Sequence, residues 1–370
     1  MPDLYDRLPK YVQIKETLRN EIEEGTLREG EQLSSESVLI ERFGASKMTV
    51  IRALQELVQE GYLRRMQGKG TYITRPARNA PLIGVLVPRT DQGIFAIILH
   101  SIEEHAHELG YDVSLCSSDE DMVKVETFAE RLIARKASGV IAAPLERIPD
   151  PSCNARWFHQ FRKEDIPVIL VDRGIQNLDE AVCVQTNNEE AMAELTREVL
   201  KKGHRRLLLV RWEEIVSTTT DARIAGFLKV ACEEEPKAEL AKIVSVSGKK
   251  PFSLSVQELE DILYEYEPSV VMSLNDQIAI HVYSLLKNVG ASVGAKVSVT
   301  GFDDLPFSQA MGLTTVHQPL KEEGVAAVEL LHQAIRGARI ESVTIPSHLV
   351  MRSSLISWPP PENGEGVLLS

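Results

Sequence analysis

A chain of 370 residues is longer than one ordinary hydrophobic core organises, so two or three domains are expected. Its apolar share of 43% is that of a globular protein, and no apolar run is long enough to span a bilayer, so no membrane partner is expected. The net charge of -13 makes any local excess of positive charge informative. The first residues are acidic and form no apolar signal segment, which predicts a cytoplasmic location. Cys116, Cys153, Cys183 and Cys232 are widely spaced with no C-x-x-C pair, so reduced thiols are expected and no metal or cofactor.

Taken in order, Val12–Glu24 reads as a helix with Ile14, Leu18 and Ile22 on one face, ending at Gly25. A short helix follows near Ser35–Phe43 and stops at Gly44. Ser46 is placed to cap the next helix, Ser46 to Glu60. Its residues Val50, Leu54, Leu57 and Val58 share an apolar face, while Met48, Thr49, Arg52 and Gln55 lie opposite. Gly61 ends it, and two short strands, Tyr62–Arg65 and Thr71–Thr74, flank the turn Gln67-Gly68-Lys69-Gly70. From Gly44 to Arg78 there are seven Lys/Arg against two Asp/Glu, a balance of +5 in an acidic chain. A helix with a buried stripe and a polar, cationic face, followed by a basic hairpin, suits the major groove of DNA. The competing reading is an amphipathic helix and hairpin in an unrelated core.

Residues 75–81, with two prolines and no apolar periodicity, read as a linker. Beyond Leu82 short apolar runs alternate with helical patterns. The runs are Ile83–Val87, Val113–Cys116, Val140–Ala143, Val168–Val171, Leu207–Val210, Ile243–Val246, Val270–Met272 and Val297–Thr300. Such alternation predicts parallel sheets wrapped by helices, as two Rossmann-like lobes or, alternatively, a TIM barrel. Ligands of open parallel sheets sit beyond the carboxyl ends of the strands. Three of those ends carry Asp172-Arg173, Asn275-Asp276 and Asp303-Asp304, groups suited to a polar, hydroxyl-rich molecule. The same residues also serve as helix caps and turns.

No catalytic constellation is visible. His100, His105 and His107 share a helix without metal-ligand spacing and are expected on a solvated face. Ser217 to Thr220 lack a nucleophile elbow, and Gly68-x-Gly70 lacks the rest of a phosphate loop.

Leu8-Pro9-Lys10-Tyr11, Gly30-Glu31-Gln32-Leu33-Ser34-Ser35-Glu36, Ser46-Lys47-Met48-Thr49-Val50 and Gly68-Lys69-Gly70-Thr71 resemble the winged helix-turn-helix of the GntR family of bacterial transcription regulators. The resemblance implies DNA contacts by Ser35, Ser46, Lys47, Thr49, Gln67 and Gly68, to which the exposed face and the basic turn add Met48, Arg52 and Lys69. Ser37 and Ile51 stand where that family usually has Arg, and Arg52 is the expected substitute.

A second resemblance runs from Leu82 to Ser354. Ile83-Gly84-Val85-Leu86-Val87-Pro88, Ile166-Pro167-Val168-Ile169-Leu170-Val171-Asp172-Arg173, Val299-Thr300-Gly301-Phe302-Asp303-Asp304 and Met351-Arg352-Ser353-Ser354 are similar to the effector domain of LacI/GalR-type regulators. This implies an α/β fold: a two-lobed, periplasmic-binding-protein-like (type I) effector domain, favoured over the barrel, behind an N-terminal winged helix-turn-helix. The combination is similar to regulators of the arabinose-repressor type. Ligand contacts implied by the family are Phe95, Asp172, Arg223, Asn275, Asp303 and Gln318, with Arg173 as a seventh or as a structural ion pair.

The resulting expectation is a repressor of carbohydrate-metabolism genes, not an enzyme. Its partners are an inverted-repeat operator of double-stranded DNA, a sugar-like effector and a second copy of itself. The alternatives are a nucleobase or sugar-phosphate corepressor system, a solute-binding protein or a sugar-processing enzyme. The expected domains are 1–74, the linker 75–81, the effector domain 82–356 and a disordered tail 357–370.

Overall fold

The computed structural model describes residues 9–66, 70–74, 80–90, 93–147, 150, 152–213, 215, 217–234, 238–246, 256–288, 290, 292–294 and 296–359. The chain divides into two compact units, Met1–Ala80 and Pro81–Ser370.

In the first unit α1 (Lys10–Glu23), α2 (Glu36–Phe43) and α3 (Lys47–Gln59) precede a hairpin of β1 (Leu63–Met66) and β2 (Gly70–Ile73). The helix α1 starts two residues before Val12, directly behind Pro9, whose extended backbone leads into the first turn. Gly44, at φ 55°, takes the left-handed conformation that ends α2. Ser46 Oγ then accepts from Thr49 N at 3.3 Å and caps α3. Ile14, Leu18 and Ile22 of α1 pack on Val50, Leu54 and Leu57 of α3, and Leu63 and Ile73 of the hairpin close this core. Lys15 on α1 bridges Glu56 of α3 and Glu60, which caps its C-terminus, at 2.9 and 3.0 Å. The strands pair antiparallel, Leu63 opposite Ile73 and Met66 opposite Gly70.

The second unit begins with β3 (Leu82–Val87), α4 (Ile94–Glu108), β4 (Asp112–Ser117), α5 (Met122–Ala134), β5 (Gly139–Ala142), α6 (Ser152–Lys163), β6 (Val168–Val171) and β7 (Cys183–Thr186). The chain continues through α7 (Asn188–Lys201), β8 (Arg206–Trp212), α8 (Thr218–Leu228), β9 (Leu240–Val246), α9 (Val256–Tyr266), β10 (Val270–Ser273), α10 (Asp276–Asn288), β11 (Ser298–Thr300), α11 (Pro306–Ala310) and β12 (Thr315–His317). It closes with α12 (Leu320–Ile335), β13 (Val343–Ile345) and β14 (His348–Val350).

Two separate parallel sheets result, in the orders β13-β7-β6-β5-β3-β4 and β11-β10-β8-β9, with a small antiparallel pair β12-β14. This is the two-lobed α/β architecture, and a single closed barrel is excluded. The inner strands of both lobes, such as β5, β6 and β10, are buried on both faces because helices cover each side. Gly226 lets α8 approach α7: a Cβ there would meet Glu189 O at 2.1 Å. Among the described residues the chain crosses between lobes three times: from β7 to α7, from β12 to α12, and from β13 to β14. Asn187 ties two crossings together, its Oδ1 accepting from Ser347 N and Oγ, both at 2.8 Å.

The eight apolar runs all became strands, and four further short strands, β7, β12, β13 and β14, join them. Two expectations need correction. His105 is not solvated: its ring bridges Glu108 on its own helix at 2.9 Å and Glu329 on α12 at 2.6 Å. The expected tail begins in packed structure, since Trp358 N donates to Lys202 O at 2.7 Å and its ring stacks on His204. Residues 360–370, and residues 75–79 of the linker, lie outside the described residues.

Candidate DNA-reading face and effector cleft

On α3 the side chains opposite the core point outward. Lys47 and Arg52 are exposed, Met48 is 74% exposed, and Thr49 is half-buried beside the capping Ser46. Ser46 Oγ lies 2.8 Å from Thr49 Oγ1, so the cap and its neighbour orient each other at the helix start. Ser35, exposed at the N-terminus of α2, pairs with Ser37 at 2.9 Å. Arg52 is held rather than loose: its guanidinium sits 3.8 Å over the Tyr11 ring, and its Nε lies 3.6 Å from Glu56. Arg64 and Arg65, exposed on β1, extend the cationic surface onto the hairpin. Gln67, Gly68 and Lys69 lie outside the described residues.

In the second unit the carboxyl ends of β3, β6, β8, β10 and β11 converge on one cavity of about 390 Å³ between the lobes. Phe95, Asp172, Arg173, Arg223, Asn275 and Asp303 all line it. Gln318 does not. It lies buried behind the cavity and donates Nε2 to Asp303 Oδ1 at 2.7 Å, a positioning contact.

Asp172 and Asp303 both have positive φ, 69° and 124°. Such backbones cost on the order of 1–3 kcal/mol each and persist where surrounding contacts over-determine them. Asp172 N donates to Val184 O and Asp303 N to Val316 O, each at 2.9 Å, which pins both turns. Arg173 gives Nε to Asp172 Oδ2 at 2.7 Å and pairs with Glu146 through Nη1. The same guanidinium lies 5.1 Å from the Phe95 ring centre, so Arg173 is both an ion pair and a cavity wall. Arg223 lies 3.7 Å over Phe302, donates Nε to Asn188 Oδ1 at 2.8 Å and Nη1 to Leu274 O at 2.7 Å, and stands 3.5 Å from Asp303. Asn275 Oδ1 caps α10 by accepting from Ile278 N at 2.8 Å.

Burial dominates the acid–base character. It raises the Asp172 carboxyl to about 6 against the opposing pull of Arg223, and lowers Arg173 to about 10. Burial also holds Asp303 well above the usual carboxylate range, with Arg223 opposing and Asp276 adding to the rise. A ligand hydroxyl therefore meets groups able both to donate and to accept.

The sequence reading missed several lining residues. Trp212 ends β8 and faces Arg147, whose guanidinium lies 5.8 Å from its ring. An aromatic side chain just past the apolar run Leu207–Val210 was the signal that could have found it. Glu120, at φ 60°, lines the cavity and accepts from Glu146 N and Arg147 N at 2.9 and 3.1 Å. Two hydrogen bonds cross between the lobes beside it: Gly174 N to Thr218 Oγ1 at 3.0 Å, and Gln176 Nε2 to Asp221 Oδ2 at 3.1 Å. Among the described residues no group of three or more His, Cys, Asp or Glu is arranged for a metal ion, and no helix is long and apolar enough to cross a membrane.

A capped helix with an exposed polar face, joined in one chain to a two-lobed unit with a buried polar cleft, defines a ligand-responsive transcription regulator. Residues 80–353 match the family of periplasmic binding proteins and the sugar binding domain of the LacI family, and residues 10–73 match the bacterial regulatory proteins of the gntR family. The chain belongs to the first family and carries a GntR-type DNA-binding domain ahead of it. It is 26% identical to the arabinose metabolism transcriptional repressor of Geobacillus stearothermophilus over 359 residues, 94% of this chain and 96% of that protein. Over 279 residues, 74% of this chain and 81% of the relative, it is 25% identical to the HTH-type transcriptional repressor PurR of Pasteurella multocida. Among solved structures, a periplasmic binding protein/LacI transcriptional regulator from Alkaliphilus metalliredigens complexed with D-xylulofuranose aligns with a TM-score of 0.63 at 25% identity, covering 75% of this chain and all of that one.

Proposed function

We propose that this chain is a repressor of carbohydrate-metabolism genes that holds an inverted-repeat operator as a homodimer and releases it when a monosaccharide enters the cleft. The observation that carries this reading is the convergence of Asp172, Arg223, Asn275 and Asp303 around a cavity of about 390 Å³, with Phe95 and Trp212 available to cover apolar ring faces. Carboxylates, an amide and a guanidinium in alternation suit a molecule whose every edge is a hydroxyl. Ser35, Ser46, Lys47, Met48, Thr49, Arg52, Gln67, Gly68 and Lys69 form the DNA-contacting set, and two-fold symmetry doubles what one short helix reads. The likeness to an arabinose-metabolism repressor along nearly the whole chain supports the assignment and makes L-arabinose the first effector to try. The effector's preference for one lobe arrangement supplies the energy that weakens DNA binding, by reciprocal linkage. The relatives this chain resembles are transcriptional repressors, which supports the reading of a binding protein without turnover.

The likeness of the effector unit to PurR repressors supports a second reading, a nucleobase acting as corepressor. The test is recovery of bound fragments from the source genome, with and without a panel of monosaccharides and nucleobases. A discrete inverted repeat released by one pentose or hexose is expected. A repeat bound only when a nucleobase is present would favour the second reading, and no selective recovery would overturn both.

A further inference from the structure

Behind the cavity a belt of buried polar groups links the ligand-facing residues to two of the three lobe crossings. Gln318, on the crossing into α12, donates to Asp303 at 2.7 Å, and Asp303 faces Arg223 at 3.5 Å. Arg223 donates to Asn188 at 2.8 Å, and Asn188 Nδ2 donates to Thr186 O at 3.0 Å on the crossing out of β7. Thr186 Oγ1 in turn donates to Glu323 Oε1, in the first turn of α12, which returns the belt to its start. Thr186 and Glu323 are 137 residues apart, and Glu323 has no exposed surface.

Glu323 Oε2 is buried and finds no hydrogen-bond partner among the described residues. The titratable groups facing this carboxyl are Asp172 at the end of β6, Cys183 on β7, Arg223 on α8 and Asp303 after β11. The neighbouring turn of α4 presents Ser101, which donates to its own helix at Ile98 O. Three carboxyls therefore share the field of Arg223, while Arg173 is already engaged by Asp172 and Glu146. An ionised carboxylate buried with one oxygen unpaired is strongly disfavoured, whereas the neutral acid keeps its bond from Thr186 at far lower cost.

We propose that Glu323 is a positioning residue of the effector cleft that works as a neutral acid, its uncharged carboxyl accepting from Thr186 through Oε1 and so holding the crossings and the Arg223–Asp303 pair in the effector-ready arrangement. Burial raises its carboxyl to about 8, with Asp172 adding to the rise, so the proton is retained at neutral pH and lost in mild alkali. Ionisation then places a third negative charge beside Asp172 and Asp303 and loosens the crossings on which Gln318 depends. The proposal rests on the cleft being the effector site, but half of its test does not.

The experiment compares the full chain with Glu323→Gln, which copies the neutral acid in shape and hydrogen bonding. Without ligand, thermal unfolding is followed from pH 6 to pH 9. The wild-type midpoint is expected to fall relative to the variant as pH rises towards 8, by several degrees, and to level off beyond it; parallel curves would overturn the proposal. Calorimetry with L-arabinose then gives the ratio of wild-type to variant Kd at pH 7 and pH 9. A rise in that ratio of about tenfold supports coupling to the cleft, and an unchanged ratio limits Glu323 to a structural role and overturns the positioning claim. If L-arabinose binds neither protein at any pH, the same pair of calorimetric runs is made with D-ribose and then with adenine as the nucleobase; binding of adenine alone would overturn the carbohydrate reading, and the unfolding curves stand independently.

Discussion

The outward face of α3 and the effector cleft treat polar side chains in opposite ways. On α3, Lys47 and Met48 stand in solvent. In the cleft, Asp172, Arg173, Arg223 and Asp303 are each less than a tenth exposed and are pinned to one another or to backbone. The first arrangement leaves hydrogen-bonding capacity for a partner and adds little to folding. The second is preorganised, so that a ligand enters donors and acceptors already aimed, with little further ordering to lose. A substitution at a solvent-facing residue of α3 such as Lys47 should therefore cost binding alone, while one in the cleft should cost binding and stability together.

The sharpest test of that contrast is Asp303→Ala. It strips both Gln318 and Arg223 of a partner, and effector affinity is expected to fall by at least ~100-fold with a loss of about 2 kcal/mol in stability. Operator affinity without effector should remain, as measured by fluorescence anisotropy; its collapse would mean that the two regions do not act separately.

Lys47→Ala combined with Arg52→Ala is the converse. Operator affinity should drop about 100-fold, and its dependence on the logarithm of salt concentration should flatten by roughly two phosphate contacts. Effector binding should not change. Arg52→Ala alone should also remove ~0.5–1 kcal/mol of stability, because its guanidinium covers Tyr11; Lys47→Ala should not. Equal destabilisation by both would erase the distinction within this face.

A smaller effect is expected from Trp212→Leu. Loss of one flat apolar wall should weaken effector binding about tenfold and, because Trp212 is buried in the core of its lobe, remove about 1–2 kcal/mol of stability, leaving operator affinity nearly as it was. A wild-type response would move the ligand away from the β8 end of the cavity.

Much of the first unit was legible because its information is local. Capping by Ser46, the left-handed stop at Gly44 and the 3.6-residue spacing of Val50, Leu54 and Leu57 act within a few residues. Six of the seven expected ligand residues line one cavity: Asp172, Arg173, Asn275 and Asp303 follow strand ends, which the two parallel sheets gather on one side, and Phe95 and Arg223 come from helices α4 and α8. Arg52 was expected on the outward face, yet its stacking on Tyr11 depends on how α1 lies across α3, and the sequence of α3 carries no sign of it.

What the sequence determined by itself is the succession of elements and the polar groups at strand ends, since periodicity, caps and strand-terminal residues are properties of short windows. Tertiary structure alone decided that β7 and β13 would pair across the lobe, that Gln318 would support Asp303 and not face the cavity, that Asn188 would hold Arg223, and that Glu323 would be buried against Thr186. Each of these contacts joins residues that the tertiary fold, and not their neighbours in sequence, brings together. The charge and hydrogen-bonding state of such a residue is set by what surrounds it, and its surroundings are not its neighbours in sequence.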